Sequence, residues 1–141
     1  MKKLFLDSDV LLDLLLDRPP FSEDIASLIE GAIHADVALF TSPVSITNIH
    51  YIIGKIENRS KANQKIKKML NLVRIENMGQ SVIDRAAASK FKDFEDAVQH
   101  FCALEAGHQM LITRNTKDYK AAEISVMNPK ECLAKMRMGL D

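Results

Sequence analysis

Short apolar runs that end on polar residues recur along this chain: KLFLD (3–7), VALFTSP (37–43), VRIENM (73–78) and MLIT (110–113), with SVMN (125–128) as a candidate fifth. Between them lie stretches with apolar residues at helical spacing. One covers 9–17 and is stopped by Arg18-Pro19-Pro20, and the next, 21–35, runs through Ile25, Leu28, Ile29 and Ala32. Others start near Val44 or Ser45, cover 60–72 and 79–89, fall within 90–107, and open at Pro129. Strands too short to stand alone, alternating with helices, restrict the chain to an α/β fold. The expectation is one domain over 1–141, with a central, mainly parallel sheet of four or five strands in a three-layer α/β/α arrangement.

Parallel sheets of this kind present ligands at the carboxyl ends of their strands. Those ends carry the chemistry here. The first run ends at Asp7, with Asp9 two residues on. The second ends at Thr41-Ser42-Pro43, and Asn48 follows in the next helix. The fourth ends at Thr113-Arg114-Asn115, with Asp118 three residues later, and the helix before it opens DFED, carrying Asp93, Glu95 and Asp96. Carboxylates gathered at one edge repel, and one must take up a proton unless a cation intervenes. Oxygen ligands of this kind favour magnesium or manganese, which activate water and stabilise charge on a phosphoryl group.

Single residues also admit plainer roles. Asp9 serves equally as a helix cap or a metal ligand. Asp93 reads as a cap, and with Asp96 it forms a D-x-x-D variant of the capping box. Asp13 and Asp17 read as solvated helix residues, and Asp118 as a turn residue. The convergence of Asp7, Asp96 and Asp118 on one edge outweighs any one of them.

Composition excludes several other classes. The formal net charge is zero, and no apolar run is long enough to span a membrane. The N-terminus MKKLFLDSDV lacks the apolar core of a signal peptide. The expected location is therefore the cytoplasm, with Cys102 and Cys132 as free thiols; neither has zinc-ligand spacing. His34, His50, His100 and His108 share no ligand spacing either, and read as structural or surface residues.

Charge is nevertheless uneven. Residues 55–74 hold Lys55, Arg59, Lys61, Lys65, Lys67, Lys68 and Arg74 against the single acid Glu57. This segment is either a solvated helix face or a track for a polyanion beside an acidic metal centre. Arg114, next to the acidic edge, is the best-placed single phosphate contact. With two Tyr and no Trp, recognition by base stacking is disfavoured relative to backbone or shape recognition.

In order along the chain, LDSDVLLDLLLDRPP, SPVSITNIHYII, DFEDAVQ and ITRNTKDY resemble the motifs of the PIN domain family, across nearly the whole sequence. The resemblance is closest to compact bacterial members related to VapC-type toxins. It implies a magnesium- or manganese-dependent ribonuclease in the cytoplasm, with RNA as substrate, a cognate antitoxin as partner and a homodimeric state. By the same resemblance Asp7 is the first metal ligand, Asp96 the third acid and Asp118 the fourth, the last sharing its family position with Asn115. Thr113 matches a hydroxyl that orders the site, and Asp9 falls where the family usually has Asn or Ser. Asn48 departs from the pattern, because the family often has Glu there. Asn can ligate through its carbonyl oxygen but brings no charge and no base; Asp93 or Glu95 could compensate.

Two other readings compete. A PIN module that binds RNA or protein without cleaving would explain Asn48. A haloacid-dehalogenase-like phosphatase would use DSDVL with Asp7 as nucleophile and Asp9 as general acid, but its remaining motifs come in the wrong order here.

Overall fold

The structure, a computed structural model, describes residues 1–139. It contains strands β1 (Lys3–Leu6), β2 (Ala38–Thr41), β3 (Val73–Ile75), β4 (Met110–Ile112) and β5 (Ser125–Met127). Helices are α1 (Ser8–Leu15), α2 (Phe21–His34), α3 (Pro43–Ile56), α4 (Arg59–Met69), α5 (Gln80–Ala87), α6 (Phe94–Glu105) and α7 (Pro129–Arg137), with a 3-10 turn at Thr116–Tyr119. The strands form one sheet in the order β3-β2-β1-β4-β5, and every pairing is parallel.

Side chains alternate across the sheet with the period of two that strands impose. Leu4, Leu6, Leu39, Met110 and Ile112 face one apolar layer, packed with residues of α1–α4 and α7. Phe5 and Leu111 face the other, packed with Val82 and Ala86 of α5 and with Ala97, Val98 and Phe101 of α6. The three-layer arrangement expected from the sequence is present. The apolar residues of α2 and α3 go mainly to this core: Ile25, Leu28, Ile29, Ala32, Ile49 and Ile53 are buried.

Several boundaries differ from those expected, for local reasons. The first helix ends at Leu15 instead of Asp17, because Asp17 adopts a left-handed φ of 50° ahead of Arg18-Pro19-Pro20. Pro43 belongs to α3, where its fixed φ and missing N–H suit the first turn, while Ser42 caps the helix by accepting from the Ser45 N–H at 3.1 Å. Asp13 is not solvated: it is 1% exposed, with Arg114 Nε 3.3 Å and Arg18 Nη1 3.9 Å from its carboxylate. Burial raises its pKa, and the two guanidinium groups oppose that rise.

The sheet order fixes where a site can form. From β1 the chain steps outward to β2 and β3, then crosses back to place β4 on the other side of β1. The connections leave β1 in opposite directions, which opens a crevice at the carboxyl ends of β1 and β4. Asp7 follows β1 directly and Thr113 follows β4 directly. The Asp7 N–H donates to the Ile112 carbonyl at 2.9 Å, so the backbone pins the two strand ends together.

Candidate active site

Asp7 is the hub of this crevice. It is 5% exposed and forms the N-cap of α1, so the cap role weighed for Asp9 belongs to Asp7. Its Oδ1 accepts from the Ser8 N–H at 2.7 Å and from Gln99 Nε2 at 3.1 Å. Its Oδ2 accepts from Thr113 Oγ1 at 2.9 Å and from Tyr119 Oη at 2.8 Å. Burying a carboxylate is costly unless such donors satisfy its oxygens. They come from α1, from α6, from the end of β4 and from the 3-10 turn, so four parts of the chain orient one side chain.

Asp9 sits in the first turn of α1, where its Oδ2 lies 3.1 Å from Thr113 Oγ1 and accepts from the Arg114 N–H at 3.2 Å. Burial, then the charge of Asp7, pushes its pKa up to about 7. Thr113 has a single hydroxyl proton for two carboxylates. A proton on Asp9 resolves the conflict, since Asp9 can then donate while Thr113 donates to Asp7.

Asp93 caps α6, accepting from the Asp96 N–H at 3.0 Å. Asp96, in the first turn, lies 3.4 Å from Tyr119 Oη through its Oδ1. Its pKa is pushed up to about 7 by burial and then by the charges of Asp7, Asp93, Asp118 and Glu95. Asp118 stands in the 3-10 turn, its N–H bonded to the Asn115 carbonyl at 3.1 Å. The Asn115 N–H in turn donates to Thr113 Oγ1 at 3.4 Å. The structure thus brings Asp7, Asp9, Asp93, Asp96, Thr113, Asn115 and Asp118 to one edge. Among the described residues no three acid, histidine or cysteine side chains form a ready-made metal cage. The Tyr119 hydroxyl instead bridges Asp7 and Asp96.

Asn48, in α3, faces α6: its Nδ2 donates to Glu95 Oε1 at 3.0 Å. Ser8 Oγ donates to the same oxygen at 3.1 Å. Burial raises the Glu95 pKa, Ser8 lowers it, and Asp7 and Asp93 raise it again. The position without an acid on α3 is therefore met by a carboxylate from α6.

The nucleic-acid candidates separate. Arg114 keeps its backbone at the site, but its guanidinium is committed to Asp13 and lies 4.3 Å from the Phe21 ring centroid. Arg114→Ala leaves the buried Asp13 carboxylate with only the longer Arg18 contact. It is expected to lower stability by about 2 kcal/mol, read from thermal or urea melts. Lys55, Arg59, Lys61, Lys65, Lys67 and Lys68 lie at the end of α3 and on α4. There Lys65 pairs with Glu57 at 2.9 Å and Lys55 lies 5.5 Å from the Tyr51 ring.

Sequence reasoning assigned no role to Gln99 or Tyr119. Gln99 is fully buried and joins Asp7 to Ser42 and Ser45 at the start of α3. Its signal was its place one helical turn after Asp96. Tyr119 had only its adjacency to Asp118. Burial and the charges of Asp7 and Asp96 push its phenol pKa up, so it stays a donor. His100 and His108 are buried structural residues: His100 Nε2 accepts from the Glu123 N–H at 2.9 Å, and His108 bonds to Glu76.

The fold and site define a parallel α/β sandwich with an acidic centre at its topological switch point. Residues 3–117 match the PIN domain family, and the chain belongs to it. It is 27% identical over 135 residues to Ribonuclease VapC1 of Aquifex aeolicus (strain VF5), covering 92% of each chain. Its fold resembles VapBC-1 from nontypeable Haemophilus influenzae, with TM-score 0.71 and 15% identity over 90% of this chain and 98% of that one. It also resembles a toxin–antitoxin complex from Klebsiella pneumoniae, with TM-score 0.66 and 23% identity over 89% and 97%. Family membership sets aside the phosphatase reading. Among the described residues no helix is long and apolar enough to cross a membrane.

Proposed function

We propose that this chain is an endoribonuclease that depends on magnesium or manganese, acting as the toxin of a toxin–antitoxin pair. The observation that carries the reading is the carboxylate group itself. Asp7, Glu95, Asp96 and Asp118 converge from α1, α6 and the 3-10 turn; beyond the effect of burial, the charges of Asp7, Asp118 and Glu95 raise the proton affinity of Asp96 and that of Asp7 raises Glu95's, and among the described residues none of the four has a lysine or arginine within ion-pair distance. A hard divalent cation removes that repulsion, and it retains waters where a full protein cage is lacking. The donor set fits such an ion.

Asp7, Asp96 and Asp118 would hold the ion, and Glu95, steadied by Asn48 and Ser8, would supply the charge that α3 does not. When bound, the metal lowers the pKa of a water and stabilises charge on the scissile phosphate. The chain's own residues do the positioning. Gln99, Thr113 and Tyr119 fix both oxygens of Asp7, and Asp9 fixes Thr113 and the backbone at Arg114. Asp9 and Asp96, held near neutral pKa, can each carry a proton at working pH.

The VapC1 relative is named a ribonuclease, which supports RNA as substrate. The Klebsiella neighbour, a toxin–antitoxin complex, supports an antitoxin as partner. A second copy of the chain completes the proposed assembly. The test is cleavage of structured RNAs with manganese and with chelator. Cleavage confined to the manganese arm is expected, and none in either arm would favour the non-cleaving module. Glu95→Gln is expected to weaken manganese binding about tenfold by calorimetry. Unchanged binding would remove Glu95 from the ligand set.

A further inference from the structure

Three acids of the site line a cleft of about 370 Å³ whose rim is basic. Asp93, Asp96 and Asp118 line it together with Lys90, Lys92, Lys117 and Lys120. All four lysines are exposed, and among the described residues none takes part in an ion pair. Lys90 and Lys92 come from the segment joining α5 to α6, immediately before the Asp93 cap. Lys117 and Lys120 flank Asp118 in the 3-10 turn and just after it.

Both segments are held from beneath. The Phe91 ring, between the first two lysines, lies 5.8 Å from the Tyr119 ring and 6.2 Å from the Phe101 ring, edge to face. Tyr119, between the second two, is tied to Asp7 through its hydroxyl. One aromatic contact thus couples the two lysine pairs to each other and to the hub of the site. Cations mounted this way sit at a fixed place relative to the carboxylates without neutralising them, which suits a chain of phosphates passing the acidic centre.

We infer that Lys90, Lys92, Lys117 and Lys120 form the track that holds the RNA backbone at the site, and that the basic segment at 55–74 does not. This rests on the ribonuclease reading above. Place separates the surfaces: the cleft lysines share a cavity with Asp93, Asp96 and Asp118, whereas no residue of 55–74 lines that cavity, and there Lys65 is paired with Glu57 and Lys55 lies over Tyr51.

The experiment uses the full chain carrying Asp7→Asn, so that RNA is bound but not cut. A fluorescein-labelled single-stranded RNA is titrated at several salt concentrations. In this background Lys90→Gln/Lys92→Gln and Lys117→Gln/Lys120→Gln are made singly as pairs and combined. The control is Lys61→Gln/Lys65→Gln/Lys68→Gln. The combined cleft variant is expected to bind at least about tenfold more weakly at moderate salt, and to lose roughly 2 to 3 from the slope of log K against log salt. Each pair should show part of that loss, and the control should stay within about twofold of the parent. Equal affinity and slope in the cleft variants, or a loss confined to the control, would overturn the inference. So would an absence of binding by the Asp7→Asn parent. Cleavage by the wild type under manganese, measured alongside, shows whether the ribonuclease reading stands when the track does not.

Discussion

An Asp7→Asn variant is expected to fold and to lose RNA cleavage by on the order of 10³-fold or more. It should also melt higher than the wild type in chelator at pH 8. The asparagine carbonyl can keep the two bonds that Oδ1 now accepts from Ser8 and Gln99. Its amide would face Thr113 and Tyr119, whose hydroxyls can turn to accept. What disappears is the charge. Asp7 is the second-largest cause of the raised proton affinity of both Asp9 and Asp96. Its neutralisation relieves a repulsion that the metal-free fold now bears. A gain of about 1 kcal/mol, roughly 3 °C in Tm, is expected. Loss of activity together with a gain in stability distinguishes a functional carboxylate from a structural one. Cleavage within tenfold of wild type would remove Asp7 from the metal set. Normal stability loss without any rise in chelator would show that its hydrogen bonds matter more than its charge.

The fold was legible in the sequence because the strands and helices differ in period. KLFL, ALFT, VRI and MLI are too short for helices, and the segments between them repeat at helical spacing. The placing of Asp7 and Asp118 followed from the rule for parallel sheets, since they come after the ends of β1 and β4, while Asp96, in the first turn of α6, was marked only by the DFED run that opens that helix. What escaped was contact between residues far apart in the chain. Asp13 carries no sequence mark of burial, because its partner Arg114 lies far along the chain, beyond β4. Gln99 looked like one more polar helix residue, although it is fully buried and joins two helix starts and β1's end. Glu95 was weighed as a substitute for the acid missing at Asn48, but only the packing of α3 against α6 shows their side chains meeting. The basic segment at 55–74 stood out because its charges are dense along one stretch of chain. The four cleft lysines, split between two segments, did not. Linear density is a poor guide to surface charge when folding joins distant loops.

Stabilisation by manganese is expected to grow with pH, from little at pH 5 to about 2 to 3 kcal/mol at pH 8 with the ion at about 100 times its Kd. The sign follows from the protons. Asp9 and Asp96 each rise from 3.8 to about 7 in the folded chain, so the native state binds protons more tightly than the unfolded one. Their contribution to stability is complete below about pH 4 and is lost as pH rises through 7. Asp96 keeps solvent access, and both groups respond to the same Asp7 charge. Together they are worth about 2 kcal/mol. A divalent ion competes with those protons, so it binds weakly where they are held and strongly where they have left. The raw melting curve against pH would not isolate this. His100 and His108 have lowered pKa values, chiefly from burial, and so favour the fold increasingly as pH rises towards 6.5. Neither bonds to a site carboxylate in the structure. Subtracting the chelator curve from the manganese curve at each pH therefore cancels them. A difference that steepens between pH 5 and 8 in the wild type, and flattens in Asp7→Asn, would tie the ion to the carboxylates at the end of β1. A difference independent of pH would place manganese elsewhere on the protein.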